Sequence, residues 1–257
     1  QKLPGDTGLP DSAFLGIVGM PGLTAYAGIL RVAELKEGDV VFVSGAAGAV
    51  GSAVVQIAKI KGCTVIGSAG GTEKCDLVKS LGADVCLDYR AAGDYDGLLA
   101  ALRTAAPKGI DVYFDNVGGP ITDEVLLHLA LNARIVLCGA ISQYNATESE
   151  IYGLKNYLSL IIQRGTAQGF IILDYLDRAL EGILCLTKWV EEGAVTQEID
   201  MQEGFENIPA TLSRIFTGEN LGKQLLKVCE PPLPMRTNAF ERTVFNVLRS
   251  VTLLRKG

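Results

Sequence analysis

Residues 39–62, DVVFVSGAAGAVGSAVVQIAKIKG, contain the first side chains and spacings that could do chemistry. Gly45, Gly48 and Gly51 stand at GxxGxxG spacing between a β-branched apolar run (40–43) and a helical pattern (52–61). Such a turn can hold a diphosphate. Gly45 lets the chain turn tightly off a strand, Gly48 has no β-carbon to keep a pyrophosphate from the backbone N–H groups, and Gly51 allows close helix packing on the sheet. The anion then lies at the positive end of the helix. The spacing is not the commoner GxGxxG, and a ligand-free βα turn would look similar. The strand before and the helix after are what support the binding reading.

A second group of residues selects the dinucleotide. The strand expected at 64–67 ends in Gly67, Ser68, Ala69, Gly70 and Gly71. An NAD-specific fold would place Asp or Glu there, about 20 residues after the glycines, to hold the ribose 2′-hydroxyl. The socket is instead small and uncharged, with Lys74 just beyond, and an ammonium attracts a 2′-phosphate. This favours NADPH, although Lys74 also reads as an ordinary solvated helix lysine. Asn116 follows the strand expected at 110–114, where polar residues face the cofactor crevice of an open parallel sheet. It could bond a ribose or a phosphate, or be a simple turn residue.

These groups need a scaffold. Apolar patterning predicts strands at 40–43, 64–67, 85–88, 110–114 and 134–137, alternating with helices at 52–61, 75–81, 98–104 and 121–131. In the helix at 52–61, Gln56, Lys59 and Lys61 are expected to face outward. The alternation implies an α/β fold with a doubly wound parallel sheet. Before it, 1–10 reads as linker and 12–30 as helical, interrupted at Met20-Pro21-Gly22 and resuming over 23–32. After it, helices are expected at 152–163, 177–192 and 204–217, the last with Phe205, Ile208, Leu212, Ile215 and Phe216 as core. Trp189 reads as packing.

Composition narrows the class. The 257 residues are 48% hydrophobic and 20% charged, enough for a sizeable core and one or two domains. A net charge of −6 argues against a nucleic-acid surface. No apolar run is long enough to span a bilayer and no signal peptide is recognised, so no membrane partner and a cytoplasmic location are expected. The six cysteines include no CxxC pair and read as reduced thiols. The one histidine, His128, reads as a helix-surface residue, and no metal site is expected.

The blocks GMPGLTAYAGIL (19–30), SGAAGAVGSAVVQIAKIKGC (44–63), YFDNVGG (113–119), CGAISQYN (138–145) and GENLGKQLLKV (218–228) resemble the zinc-independent medium-chain reductases. The branch most similar is the prostaglandin reductases, also called leukotriene B4 12-hydroxydehydrogenases or alkenal/one oxidoreductases. The resemblance implies a Rossmann domain whose diphosphate loop is Gly48, Ala49, Val50 and Gly51. It implies Lys74 and Tyr89 at the 2′-phosphate and Asn116 on the cofactor. Cys138, Gly139, Ala140, Ile141, Ser142, Gln143 and Tyr144 would run along the nicotinamide ribose. Phe170, Ile171 and Ile172 would form a strand backing the nicotinamide, with Asn220 near its carboxamide. The implied domains are a linker and interdomain helix (1–30), the NADP-binding domain (31–165), a C-terminal return to an incomplete catalytic β-barrel domain (166–228) and a divergent tail (229–257).

The resemblance also implies the reaction: NADPH-dependent reduction of the carbon–carbon double bond of enones and enals, 15-oxo-prostaglandins among the candidates. Hydride adds to the β-carbon, and charge builds on the carbonyl oxygen, where the Tyr144 hydroxyl and a ribose hydroxyl would donate. Tyr144 alone also reads as a loop aromatic packing on a neighbour. A homodimer through the sheet edge is implied, with the strand at 134–137 a candidate. Two features depart from the pattern. The family's β-barrel lobe lies ahead of the position of Gln1, which would leave strands near Ile171, Glu198 and Leu225 with unpaired edges. The loop after Asn145 reads ATESEIYGLKN instead of a proline-rich run. The tail from 229 could form a basic amphipathic helix at 239–256. The alternatives are an NADPH-binding protein without turnover and a non-enzymatic partner protein.

Overall fold

The computed structural model describes residues 8–229. The expected tail helix at 239–256 lies outside them, as does most of the linker. The chain order is α1 (Asp11–Phe14), α2 (Met20–Ala27), β1 (Val40–Val43), α3 (Ala49–Ile60), β2 (Thr64–Ala69), α4 (Thr72–Ser80), β3 (Val85–Asp88), α5 (Tyr95–Ala105), β4 (Ile110–Asp115) and α6 (Pro120–Leu126). It continues with β5 (Leu129–Leu137), α7 (Leu158–Gln163), β6 (Thr166–Gly169), α8 (Ala179–Glu191), β7 (Ile199–Glu203), α9 (Ile208–Thr217) and β8 (Lys223–Lys227).

The first six strands form one sheet in the order β3-β2-β1-β4-β5-β6, and every pairing in it is parallel. Side chains alternate between two cores, as a pleated strand requires. Val41, Val43, Val65, Val112, Phe114 and Val136 enter the core shared with α2, α3 and α8. Phe42, Ile66, Tyr113 and Ile135 enter the core shared with α5 and α6. The doubly wound arrangement read from the sequence is the observed one. β7 and β8 pair separately, also in parallel, so the strands near Glu198 and Leu225 cover one edge of each other.

Several local expectations are corrected. Met20-Pro21-Gly22 does not interrupt a helix. It opens α2, with Pro21 in the first turn, where its missing N–H costs nothing. The helix expected at 121–131 stops at Leu126, because Leu129 pairs with Ile110 and begins β5. His128 therefore sits in the turn between them, its ring nitrogen 2.6 Å from the Ala106 carbonyl, not on a helix surface. Gln56 is buried: its amide donates to the Thr196 carbonyl at 2.9 Å and its oxygen accepts from the Thr196 N–H at 2.8 Å. The strand at 134–137 is no edge, since β6 covers it; the exposed edge is β6. Only Leu158–Gln163 of the span 152–163 is α-helical. Phe205, Ile208, Leu212 and Phe216 are exposed, not core.

Candidate functional site

A cleft of about 600 Å³ opens at the carboxyl ends of β1, β2, β4 and β5 and is roofed by the segment from α9 into β8. Its floor is the glycine turn. Gly45 has φ +60°, a left-handed conformation that L side chains disfavour. A β-carbon at Gly51 would overlap the Gly45 carbonyl oxygen and stand 2.9 Å from the Ala46 Cα. Gly51 thus lets α3 approach the turn itself, rather than the sheet at large. Gly48 precedes α3 in extended conformation, so the first helical N–H groups face the cleft. From the other side, Gly48 forms a β-bridge with Gly222, which brings the C-terminal unit directly over the turn.

A buried network fixes the turn after β4. The Asp115 carboxylate accepts from Ser44 Oγ (2.9 Å), Thr122 Oγ1 (2.6 Å) and the N–H groups of Val117 and Gly118 (both 2.9 Å). Asn116 is held by the same frame: its N–H donates to Ser44 Oγ at 3.0 Å and its side-chain amide to the Ser44 carbonyl at 2.8 Å. The loop that follows β5 is stitched to this turn through Ser142, whose N–H and hydroxyl both donate to the Val117 carbonyl. Burial and the Asp115 charge push the Cys138 thiol up to about 12, so it stays protonated at neutral pH.

Lys74 is half-buried on α4, and its Nζ donates to the Gly218 carbonyl at 2.7 Å. Burial, then the positive charge of Arg90, holds its pKa below the usual lysine value. Asn220 lies beside it, its amide donating to the Gly222 carbonyl at 2.9 Å. That loop is pinned by Asp200, which accepts from Arg214 Nη2 at 2.6 Å and from the Leu221 N–H at 3.2 Å. Burial pushes the Asp200 carboxyl up, but hydrogen bonds from Gln202, Arg214 and Leu221 outweigh it and leave the pKa lowered.

The cleft brings together Gly48, Ala49, Val50, Gly51, Lys74, Tyr89, Asn116, Cys138, Gly139, Ile141, Ser142, Tyr144 and Asn220. It does not include Ala140, Gln143, Phe170, Ile171 or Ile172. Gln143 turns outward, its oxygen accepting from the Tyr152 N–H at 2.8 Å. Phe170–Ile172 is not a strand: β6 ends at Gly169, and Ile172 opens a 3-10 turn. The Phe170 ring packs edge-on to Tyr175, and a β-carbon at Gly28 would stand 2.8 Å from its tip. Tyr144 is 62% exposed, and its hydroxyl accepts from the Ala140 N–H at 3.1 Å, which leaves its proton to donate. Residues the sequence did not assign to the site also line the cleft, among them Tyr95, Val117, Ile121, Lys223 and Phe216, the last expected in the core. The residues from α9 and β8 lie far along the chain from the glycine turn; the resemblance of block 218–228 signalled those from 218 on, and nothing signalled the end of α9.

A glycine turn at a helix N-terminus, under the carboxyl edge of a parallel sheet, defines a Rossmann-type dinucleotide-binding protein. The family model described as zinc-binding dehydrogenase matches residues 49–184. A putative NADP-dependent oxidoreductase, YfmJ, of Bacillus subtilis (strain 168) is 52% identical over 229 residues, which are 88% of this chain and 67% of that protein. Prostaglandin reductase 1 of Rattus norvegicus is 45% identical over 230 residues, 88% of this chain and 69% of that protein. The crystal structure of CurA from Vibrio vulnificus in complex with NADPH superposes with a TM-score of 0.79 at 43% identity, covering 87% of this chain and 67% of that one. The chain belongs to the zinc-binding dehydrogenase family, among its NADP-dependent medium-chain reductases. It spans about two thirds of the length of these relatives.

The family's descriptive name implies zinc. Among the described residues no three His, Cys, Asp or Glu side chains converge to hold an ion, so they do not fit a zinc centre. They do fit NADPH: Gly48 puts no β-carbon at the mouth of the turn, the first residues of α3 line the cleft beside it, and the Lys74 side chain lines the same cleft.

Proposed function

We propose that the protein reduces the carbon–carbon double bond of α,β-unsaturated ketones and aldehydes with NADPH. The observation that carries this reading is the cleft itself, which pairs an open glycine turn with the Lys74 ammonium and, on the opposite side, the exposed Tyr144 hydroxyl. The kinship with a prostaglandin reductase supports the substrate class. The N–H groups at the start of α3, around Ala49 and Val50, hold the diphosphate. Lys74 and Tyr89 meet the 2′-phosphate. Asn116 gives one amide N–H to the Ser44 carbonyl, which leaves its oxygen and its second N–H for the ligand. The oxygen accepts from a ribose hydroxyl, and the remaining N–H suits a ribose or phosphate oxygen. Bound NADPH would supply a hydride to the β-carbon, and the enolate so formed takes a proton from water at the α-carbon. The Tyr144 hydroxyl, oriented by Ala140, donates to the substrate oxygen as negative charge builds there.

Residues 31–165 form the core of the cofactor domain in this reading, and 166–228 lead toward the substrate side. The exposed β6 edge, with exposed Leu158, Ile161 and Ile162 beside it, supports a homodimer formed by edge pairing. No described helix is long and apolar enough to cross a membrane. The described cysteines form no disulfide, which supports a reducing, cytoplasmic setting. The test is NADPH oxidation by the purified protein with 3-nonen-2-one, alongside fluorescence of the bound nucleotide. Turnover with NADPH binding is the expected result. Binding without turnover leaves only the cofactor part of the reading; absence of both removes it.

A further inference from the structure

A cation with no role assigned above lies at the edge of the cleft, against the lining residues Gly70 and Tyr89. Arg90 follows Tyr89 at the end of β3. Its N–H donates to Asp88 Oδ1 at 3.0 Å, and the same oxygen accepts from the Gly71 N–H at 2.9 Å and the Ala91 N–H at 3.3 Å. That pinned turn aims both side chains at Gly70: a β-carbon there would stand 2.6 Å from Tyr89 Oη and 2.9 Å from Arg90 Nε. The guanidinium carbon lies 6.0 Å from the Tyr89 ring centroid. On the opposite side, a β-carbon at Gly218 would stand 3.5 Å from Arg90 Nη2 and 3.9 Å from Lys74 Nζ. Arg90 thus lies against two glycines distant in the chain, and Lys74 joins it at Gly218.

Glu73, beside Lys74 on α4, acts on it through space without an ion pair, and the other neighbouring carboxylates are committed elsewhere. Asp88 is taken by backbone N–H groups, and Asp200 by Arg214. Among the described residues neither Lys74 nor Arg90 forms an ion pair. Two like charges held close without a counter-charge repel one another, and an anion between them removes that cost.

We propose that Arg90 determines dinucleotide specificity as the second arm of a clamp on the 2′-phosphate, opposite Lys74 and under the Gly218 backbone. The inference rests on the NADPH reading. The two cations divide the work by chemistry: a guanidinium presents a planar fork that matches two phosphate oxygens, whereas an ammonium acts as a point charge. Arg90 stacks against the ring of Tyr89, so the fork is already partly oriented before the ligand arrives.

Isothermal titration of the full chain with 2′,5′-ADP and with 5′-AMP tests this without turnover. The wild-type protein holds 2′,5′-ADP more tightly. Arg90→Gln weakens 2′,5′-ADP on the order of 10- to 100-fold, the worth of a charged hydrogen bond, and leaves 5′-AMP unchanged. Arg90→Lys keeps the charge but loses the fork and falls between the two. Equal losses for both nucleotides in Arg90→Gln, or an unchanged preference, overturn the role of Arg90 while leaving the NADPH reading intact. A wild-type protein with no preference overturns both.

Discussion

Replacing Gly51 by alanine tests whether the glycine turn is held by close approach. The added methyl would overlap the Gly45 carbonyl oxygen and stand 2.9 Å from the Ala46 Cα and 3.0 Å from the Gly45 carbonyl carbon. All of these are backbone atoms, so no side chain can swing away. The Gly45 oxygen also accepts the Gly48 N–H at 3.0 Å, and moving it displaces an N–H group of the binding turn. Overpacking of this kind costs about 1–3 kcal/mol. At roughly 2–4 °C per kcal/mol for a chain of this size, the melting temperature should fall by about 2–12 °C. The diphosphate is common to both dinucleotides, so fluorescence titration should show NADPH and NADH weakening together. Gly48→Ala is the control for stability. Its β-carbon would lie 3.2 Å from the Gly45 oxygen, a contact that needs a shift of only a few tenths of an ångström, and its φ of −77° suits alanine. It should melt closer to the wild type than Gly51→Ala does. A Gly51→Ala protein that melts with the wild type and binds both nucleotides normally would refute the reasoning.

Two further outcomes follow from the same geometry. Lys74 has a pKa held below 10.5 in the free protein by burial and by Arg90, and a bound phosphate dianion favours its ammonium form. Binding therefore takes up a proton where free Lys74 is partly neutral: NADPH affinity is full below the lowered pKa and falls as pH rises through it. NADH serves as reference, and parallel pH profiles for the two nucleotides would speak against the 2′-phosphate contact. Asp123 is buried and accepts from Tyr152 Oη (2.8 Å), the Lys155 N–H and the Asn156 N–H (both 2.9 Å), tying down the loop ahead of α7. Asp123→Ala strands these donors at a cost on the order of 1–3 kcal/mol and should speed proteolysis between 148 and 157; an unchanged cleavage rate would show that the loop is held by other contacts.

The central strands were legible because burial on both faces demands β-branched and aromatic residues whatever the rest of the fold does: β1 fell where its apolar run lies, and β4 ran one residue past its own. The α6–β5 boundary was not legible. Ile121, Val125 and Leu129 repeat at helical spacing, and only the pairing of Leu129 with Ile110 turns the last of them into a strand residue. Gln56 shows the same limit: local pattern puts an amide outside, while a partner 140 residues away buries it. At the site, the glycine turn was legible because its requirement is steric and local. The failure at Phe170–Ile172 has the opposite character, since a resemblance cannot report that the chain bends after Gly169 into the core beside Gly28. Arg90 escaped notice because an arginine after a strand has no pattern of its own. Its significance comes from Gly70 on one side and Gly218 on the other.

The C-terminal unit is as much a part of the cofactor site as the sheet is. Three contacts tie it across the cleft: the bridge from Gly48 to Gly222, the hydrogen bond from Lys74 to the Gly218 carbonyl, and the paired bonds of Gln56 with Thr196. Each joins an element of the glycine-turn half to a residue beyond 195, and together they set the height of the roof over the turn. The groups inside are likewise committed before any ligand binds: Asn116 to Ser44, Asp115 to the N–H groups of Val117 and Gly118, and Tyr144 to Ala140. A site assembled in this way loses little rotamer freedom on binding, so more of each contact appears as affinity. The exception is the rim, where Lys74 and Arg90 face each other without a carboxylate between them. On the proposed reading, discrimination between the two dinucleotides concentrates at that rim, because the remainder of the cleft would meet parts that NADH and NADPH share.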